Sequence, residues 1–116
     1  MGMSFFSWLF GPQVETVDVG DVRRLQSEGA VLIDVREPHE WTTGHVQGAK
    51  LIPLGSLDRE LPKLRADRQV LFICRSGRRA ARAADRATRL GLKAMNVGGG
   101  MIQWRRAGLP VKGGRR

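Results

Sequence analysis

Val70-Leu71-Phe72-Ile73-Cys74-Arg75-Ser76-Gly77-Arg78-Arg79-Ala80 is the stretch on which the reading of this chain turns. It opens with an unbroken apolar run, rich in β-branched and aromatic residues, of the kind that forms a strand buried on both faces. It closes by entering a helix. Ala80, Ala83, Ala84, Ala87 and Leu90 recur at helical spacing on one face, Arg82, Arg86 and Arg89 fall on another, and Gly91 supplies the stop. The small alanines allow that helix to pack closely on a sheet, and the arginine row reads as its solvated side. A lone cysteine followed by Arg-Ser-Gly-Arg-Arg therefore sits where a buried strand hands over to a helix.

Working outward, the same alternation recurs. Asp18 is placed to cap a helix that carries Val22 and Leu25 on one face and stops at Gly29. Val31-Leu32-Ile33-Asp34-Val35 is a second buried-strand run. Residues 38–41 suggest a helical turn, and residues 50–53 a short strand. Ser56 can cap a helix carrying Leu57, Leu61 and Leu64, in which Pro62 interrupts the hydrogen bonding. Residues 94–97 read as a strand, Gly98-Gly99-Gly100 as a tight turn, and residues 101–107 as a short helix closed by Gly108 and Pro110. Strands alternating with helices predict a single α/β domain with a central, mainly parallel sheet flanked by helices. Sites in such sheets lie at the carboxyl ends of strands, which is where Cys74 falls.

The chain has 116 residues, enough for one core and too few for two. With 41% hydrophobic and 27% charged residues it reads as a globular chain rather than a disordered one. Twenty Lys and Arg against eleven Asp and Glu give a net charge of +9, which predicts attraction to anions. Charge alone leaves nucleic acid, anionic lipid and small oxyanions open. No stacking-aromatic platform or recognised motif supports nucleic acid, so that partner is not expected. One cysteine cannot make an internal disulfide, and a reducing, cytoplasmic setting follows as the expectation. Two histidines and one cysteine, spread along the chain, lack metal-ligand spacing, so no structural zinc is expected.

Three segments are expected: an aromatic N-terminal segment over 1–13, the folded domain over 14–111, and a basic flexible tail over 112–116. The first ten residues, MGMSFFSWLF, are too short to span a bilayer, which takes about 20 apolar residues. They lack the charged start and the small-residue cleavage site of a secretory signal. Phe6 stands where an N-myristoylation site wants Ser or Thr. Phe5, Phe6, Trp8, Leu9 and Phe10 thus remain a docking element for a protein partner, an interfacial membrane contact, or a segment folded back on the domain.

The chemistry concentrates in the Cys74 loop. Backbone N–H groups of a curled loop at a helix start converge on an anion. Gly77 permits the dihedrals that such a curl needs. A sulfur there feels the helix dipole and three arginines, and both favour a thiolate over a thiol. An ordinary buried cysteine would be inert, and the electropositive helix start is what argues for a reactive one. Asp34 and Arg36, at the end of the other buried strand, are suited to pin the loop through ion pairs or hydrogen bonds. His45, between Gly44 and Val46, reads as structural, because a nucleophile that is already a thiolate needs no base. Trp104 is read as a core or rim residue. Gly98 to Gly100 lacks the following Lys-Ser/Thr of a phosphate loop.

Three motifs in order resemble the single-domain rhodaneses, the thiosulfate sulfurtransferase family, over residues 14–110. The first runs through Leu32-Ile33-Asp34-Val35-Arg36-Glu37, Glu40-Trp41, Gly44-His45-Val46 and Gly48-Ala49 to Ile52-Pro53. The second is the loop from Cys74 to Arg79. The third is Gly99-Gly100-Met101, Trp104 and Gly108-Leu109-Pro110. The resemblance implies a rhodanese-like fold and a cofactor-free sulfurtransferase. Cys74 would take sulfane sulfur from thiosulfate or another persulfide donor, hold it as a persulfide, and pass it to cyanide or a thiol. The N–H groups of Arg75, Ser76, Gly77, Arg78 and Arg79 would cradle the sulfur anion, and Arg75, Arg78 or Arg79 would position a dianionic donor. The Cys-x4-Arg spacing is one residue shorter than the Cys-x5-Arg loop of related phosphatases and arsenate reductases, which suits a sulfur atom better than a tetrahedral oxyanion. Ala80 follows where many relatives carry Ser.

Overall fold

A computed structural model describes residues 14–113. The aromatic segment containing Phe5, Phe6, Trp8, Leu9 and Phe10, and residues 114–116 of the expected tail, lie outside the described residues. Five strands form one sheet: β1 (Glu15–Val17), β2 (Val31–Asp34), β3 (Lys50–Leu51), β4 (Gln69–Ile73) and β5 (Lys93–Val97). Their order is β1-β5-β4-β2-β3, and every pairing is parallel. The α/β domain with a parallel sheet predicted from the sequence is therefore the architecture observed, and β4 is the central strand.

Both faces of β4 are covered, which explains its unbroken apolar run. Val70 and Phe72 point to one side, where they meet the alanines of α4 (Arg78–Arg89) together with Leu57 and Leu61. Leu71 and Ile73 point to the other and meet Val22 of α1 (Val22–Ser27) and Met101 and Trp104 of α5 (Gly100–Arg106). Strand β2 follows the same rule, with Ile33 packed on the first side and Leu32 on the second. Trp104 is fully buried, and its indole N–H donates to the Pro110 carbonyl at 3.0 Å, so it belongs to the core.

Several boundaries differ from the sequence expectation. The Asp18 carboxylate accepts from the Gly20 N–H at 3.3 Å, so it caps a 3-10 turn (Val19–Asp21) that leads into α1. The helix expected after Ser56 shortens to α3 (Leu57–Glu60) followed by a 3-10 turn (Leu61–Lys63), and the Ser56 side chain makes no capping bond. Pro62 has no N–H with which to continue the α-helical ladder. The segment still buries Leu57 and Leu61, so the apolar pattern is honoured without the helix length. Strand β3 stops at Leu51, although the Ile52 N–H still donates to the Asp34 carbonyl at 2.9 Å. Helix α4 begins at Arg78, two residues before the alanine pattern does, because the chain turns at Gly77. Lys112, read from sequence as the first tail residue, exchanges two backbone hydrogen bonds of 2.8 Å with His45.

Candidate active site

Cys74 is the first residue beyond β4, and only 1% of its surface is exposed. Its Sγ accepts from the N–H of Gly77 at 3.1 Å and from the N–H of Ala80 at 3.3 Å. Two carbonyls at the start of the loop are turned toward α5 and held there. The N–H groups of Met101 and Ile102, at the start of α5, donate to the carbonyls of Cys74 (2.8 Å) and Arg75 (3.0 Å). This approach is so close that only glycine fits at position 100, which has φ +57°. A Cβ there would stand 2.3 Å from the Cys74 carbonyl oxygen and 2.6 Å from that of Arg75. Gly77, at φ +103°, turns the chain into α4. With the Cys74 and Arg75 carbonyls facing α5, the Gly77 and Ala80 N–H groups are the ones that meet the sulfur. Those of Arg75, Ser76, Arg78 and Arg79 meet no protein acceptor among the described residues.

The sequence located this loop but assigned its contacts incompletely. Of the five cradle residues it named, only Gly77 reaches the resting sulfur. The second donor is Ala80, the third residue of α4, which the sequence reading noted for its place on the alanine face and for standing where many relatives carry Ser. The available signal was general: the N–H groups of a helix's first turn have no partners inside the helix.

Asp34 and Arg36 form a buried ion pair behind the loop. Arg36 Nε lies 2.9 Å from Asp34 Oδ1, and its Nη2 lies 2.8 Å from Oδ2. The same guanidinium donates to the carbonyls of Glu40 (3.2 Å) and Gly44 (2.8 Å). Arg36 thus ties the end of β2 to α2 (Pro38–Trp41) and the turn that follows it. His45 is held in the same turn. Its ring stacks on Trp41 with centroids 3.6 Å apart, and Nδ1 lies 3.0 Å from the Trp41 carbonyl, to which it must donate. Among the described residues, no group of three or more His, Cys, Asp or Glu is arranged to hold a metal.

Glu40 is the neighbour of the loop whose partner the sequence did not reveal. Its carboxylate receives both terminal nitrogens of Arg79, at 2.7 and 2.8 Å. It also accepts from the Glu37 N–H at 2.9 Å, closing a capping box on α2. The Arg79 guanidinium is thereby drawn to the rim of the site, while Arg75 and Arg78 stay exposed and meet no carboxylate among the described residues. The hydrogen bonds from Arg79 hold the Glu40 carboxyl down to about 2, from an ordinary 4.5, against an upward push from burial. A lowered folded-state pKa gives stability that is complete above the ordinary value and is lost as pH falls toward the folded one. Glu40→Gln is therefore expected to be less stable than the parent by about 1 kcal/mol at pH 6, a figure reduced for solvent screening at this rim. The gap should close as pH falls from about 4.5 to about 2. Urea denaturation of both proteins across that range measures it, and a constant gap would contradict the pairing.

Beside the loop lies a cleft of about 300 Å³, lined by Arg75 and Arg105, by His39, Glu40 and Thr43, and by apolar Met101 and Ile102. An open groove of about 450 Å³ lies against Arg78, Arg79 and Arg82.

The model of the rhodanese-like domain family matches residues 18–107. A sulfurtransferase of Allochromatium vinosum is 32% identical over 90 residues, covering 77% of this chain and 84% of that protein. An HTH-type transcriptional regulator of Mycobacterium tuberculosis is 37% identical over 97 residues, which make up 80% of this chain but 42% of the regulator. The chain thus spans less than half the length of that relative. Among solved structures, a rhodanese-related protein of Thermoplasma volcanium superposes with a TM-score of 0.78 at 30% identity, covering 84% of this chain and 97% of that one.

Proposed function

This chain belongs to the rhodanese-like domain family, and from that membership we propose that it is a sulfurtransferase working through a Cys74 persulfide. The observation that carries the proposal is the Cys74 sulfur held by the N–H groups of Gly77 and Ala80, with further loop N–H groups lacking protein partners. Backbone dipoles fixed in place before reaction stabilise negative charge without reorganising, and a sulfur anion is the charge this chemistry moves.

The proposed cycle has two displacements. In the first, the Cys74 thiolate attacks the outer sulfur of thiosulfate. The donor's S–S bond breaks, its electron pair leaves with sulfite, and a new S–S bond makes the persulfide. In the second, a thiolate or cyanide attacks the outer sulfur of that persulfide, and Cys74 departs as thiolate. No net redox change occurs and no cofactor takes part. Arg75 and Arg78 are the residues we assign to the sulfonate end of the donor, since Arg79 is committed to Glu40. The Cys-x4-Arg spacing supports sulfur rather than phosphate as the group held. The relative from Allochromatium vinosum, a sulfurtransferase by name, favours the same chemistry.

Intact-mass spectrometry tests the proposal. The purified protein is incubated with thiosulfate, weighed, treated with cyanide and weighed again. The expected result is the gain of one sulfur atom on Cys74, its removal by cyanide, and formation of thiocyanate. A folded protein with a free thiol that gains no sulfur from thiosulfate would overturn thiosulfate as donor, and the same result with a persulfide donor would overturn sulfur transfer.

A further inference from the structure

We infer that the surface around the Cys74 loop is an electrostatic docking face for an acidic protein that presents the acceptor thiol. The inference rests on the sulfur-transfer reading above and identifies the partner of that same site.

Several charges near the loop are already neutralised. Asp34 is consumed by Arg36, and Glu40 by Arg79. Along α4, Arg86 faces Asp58 and Arg89 faces Asp85. Arg75, Arg78, Arg82 and Arg105 are exposed and meet no carboxylate among the described residues. These unpaired cations fall in two neighbouring concavities. Arg75 and Arg105 line the cleft of about 300 Å³, and Arg78 and Arg82 line the groove of about 450 Å³. The Glu40–Arg79 ion pair stands between them, Glu40 lining one and Arg79 the other. A small donor anion held by Arg75 and Arg78 leaves Arg82 and Arg105 without a partner. An acidic macromolecular surface lying over the loop engages both concavities at once and brings its sulfur acceptor to the loop that carries Arg75 and Arg78.

Protein suits this face better than nucleic acid. Sequence-tolerant binding of single strands relies on aromatic side chains on which bases stack. Among the described residues the large exposed hydrophobics are Leu90 and Val111, while Phe72 and Trp104 are buried and Trp41 is stacked on His45. Half-buried Ile102 in the first cleft gives a partner side chain an apolar contact beside Arg75 and Arg105, an apolar contact with a charged rim as in protein interfaces.

The step is balanced. The partner's thiolate attacks the outer sulfur of the Cys74 persulfide, that S–S bond breaks, Cys74 leaves as thiolate, and the partner carries the persulfide.

The experiment uses the full chain loaded with sulfur from thiosulfate and freed of excess donor. It is mixed with one of two synthetic peptides that share a single Cys, flanked by Asp and Glu in one and by Asn and Gln in the other. Mass spectrometry follows loss of the persulfide. At low salt the acidic peptide is expected to react about tenfold faster or more, with the advantage shrinking as salt is added. Replacing Arg82→Glu together with Arg105→Gln is expected to reduce most of that advantage while leaving the rate with the neutral peptide unchanged. Equal rates for the two peptides, or an advantage that survives the double replacement, would overturn the inference. So would a short single-stranded RNA that displaces the acidic peptide at moderate salt, since the face would then belong to nucleic acid. Failure to load Cys74 from any sulfur donor would be a different result, because it removes the sulfur-transfer reading and this inference with it.

Discussion

Cys74→Ser is expected to bring sulfur transfer to background, a loss on the order of 10⁴–10⁶-fold as for removal of other covalent nucleophiles. In the proposed cycle both displacements pass through this sulfur, and a hydroxyl at the same place is neither an anion near neutral pH nor able to hold sulfane sulfur in a stable, transferable bond. The fold should hardly notice. The Sγ is almost fully enclosed and accepts from the Gly77 and Ala80 N–H groups, and a serine oxygen can accept from the same donors. The stability change should stay within about 1 kcal/mol. Circular dichroism and urea denaturation report the fold, and cyanide-dependent thiocyanate formation reports the activity. A folded Cys74→Ser protein with measurable turnover would show that another group carries the sulfur, and among the 116 residues there is no second cysteine to do so.

The largest stability effect is expected from Asp34→Ala. Removing this carboxylate strands the Arg36 guanidinium, 3% exposed, without its counter-charge. Breaking one half of a buried ion pair costs roughly 3–5 kcal/mol. In a domain of this size that lowers Tm by roughly 10–20 °C. The damage should reach the active loop, because Arg36 also holds the carbonyls of Glu40 and Gly44, and Glu40 in turn holds Arg79. Persulfide loading should therefore fall along with the melting temperature. The double replacement Asp34→Ala with Arg36→Met is expected to recover part of the loss in Tm, since it removes the unpaired buried charge. If the double variant melts no higher than the single one, the penalty comes from something other than a stranded charge. The two variants are expected to separate two roles: Cys74→Ser to remove the proposed chemistry and spare the fold, and Asp34→Ala to weaken the support around the loop.

What was legible in the sequence was what neighbouring residues encode together. The apolar runs around Leu32 and Leu71, the alanine face of α4 and the glycines between elements each act over a few consecutive positions. They were enough to establish an α/β domain with a parallel sheet and a cysteine where the central strand meets a helix. The curl of the loop was legible for the same reason, since Gly77 is the one residue in it that takes a positive φ without cost.

What only the tertiary structure decided depends on remote segments meeting. Glu40 and Arg79 are 39 positions apart, and nothing in either local sequence says that this arginine, rather than Arg75 or Arg78, finds the carboxylate. Met101 and Ile102 turn the loop carbonyls outward only because α5 packs against the end of β4, and Gly100 is required at that contact rather than by its own turn alone. The Ala80 N–H reaches Cys74 because α4 begins at Arg78, a start set by the loop and not by the alanine repeat. Side-chain spacing along a chain reports which face of an element is buried. It carries no record of which charged or hydrogen-bonding group arrives from elsewhere when the elements pack, and the detailed electrostatics of this site are made of such arrivals.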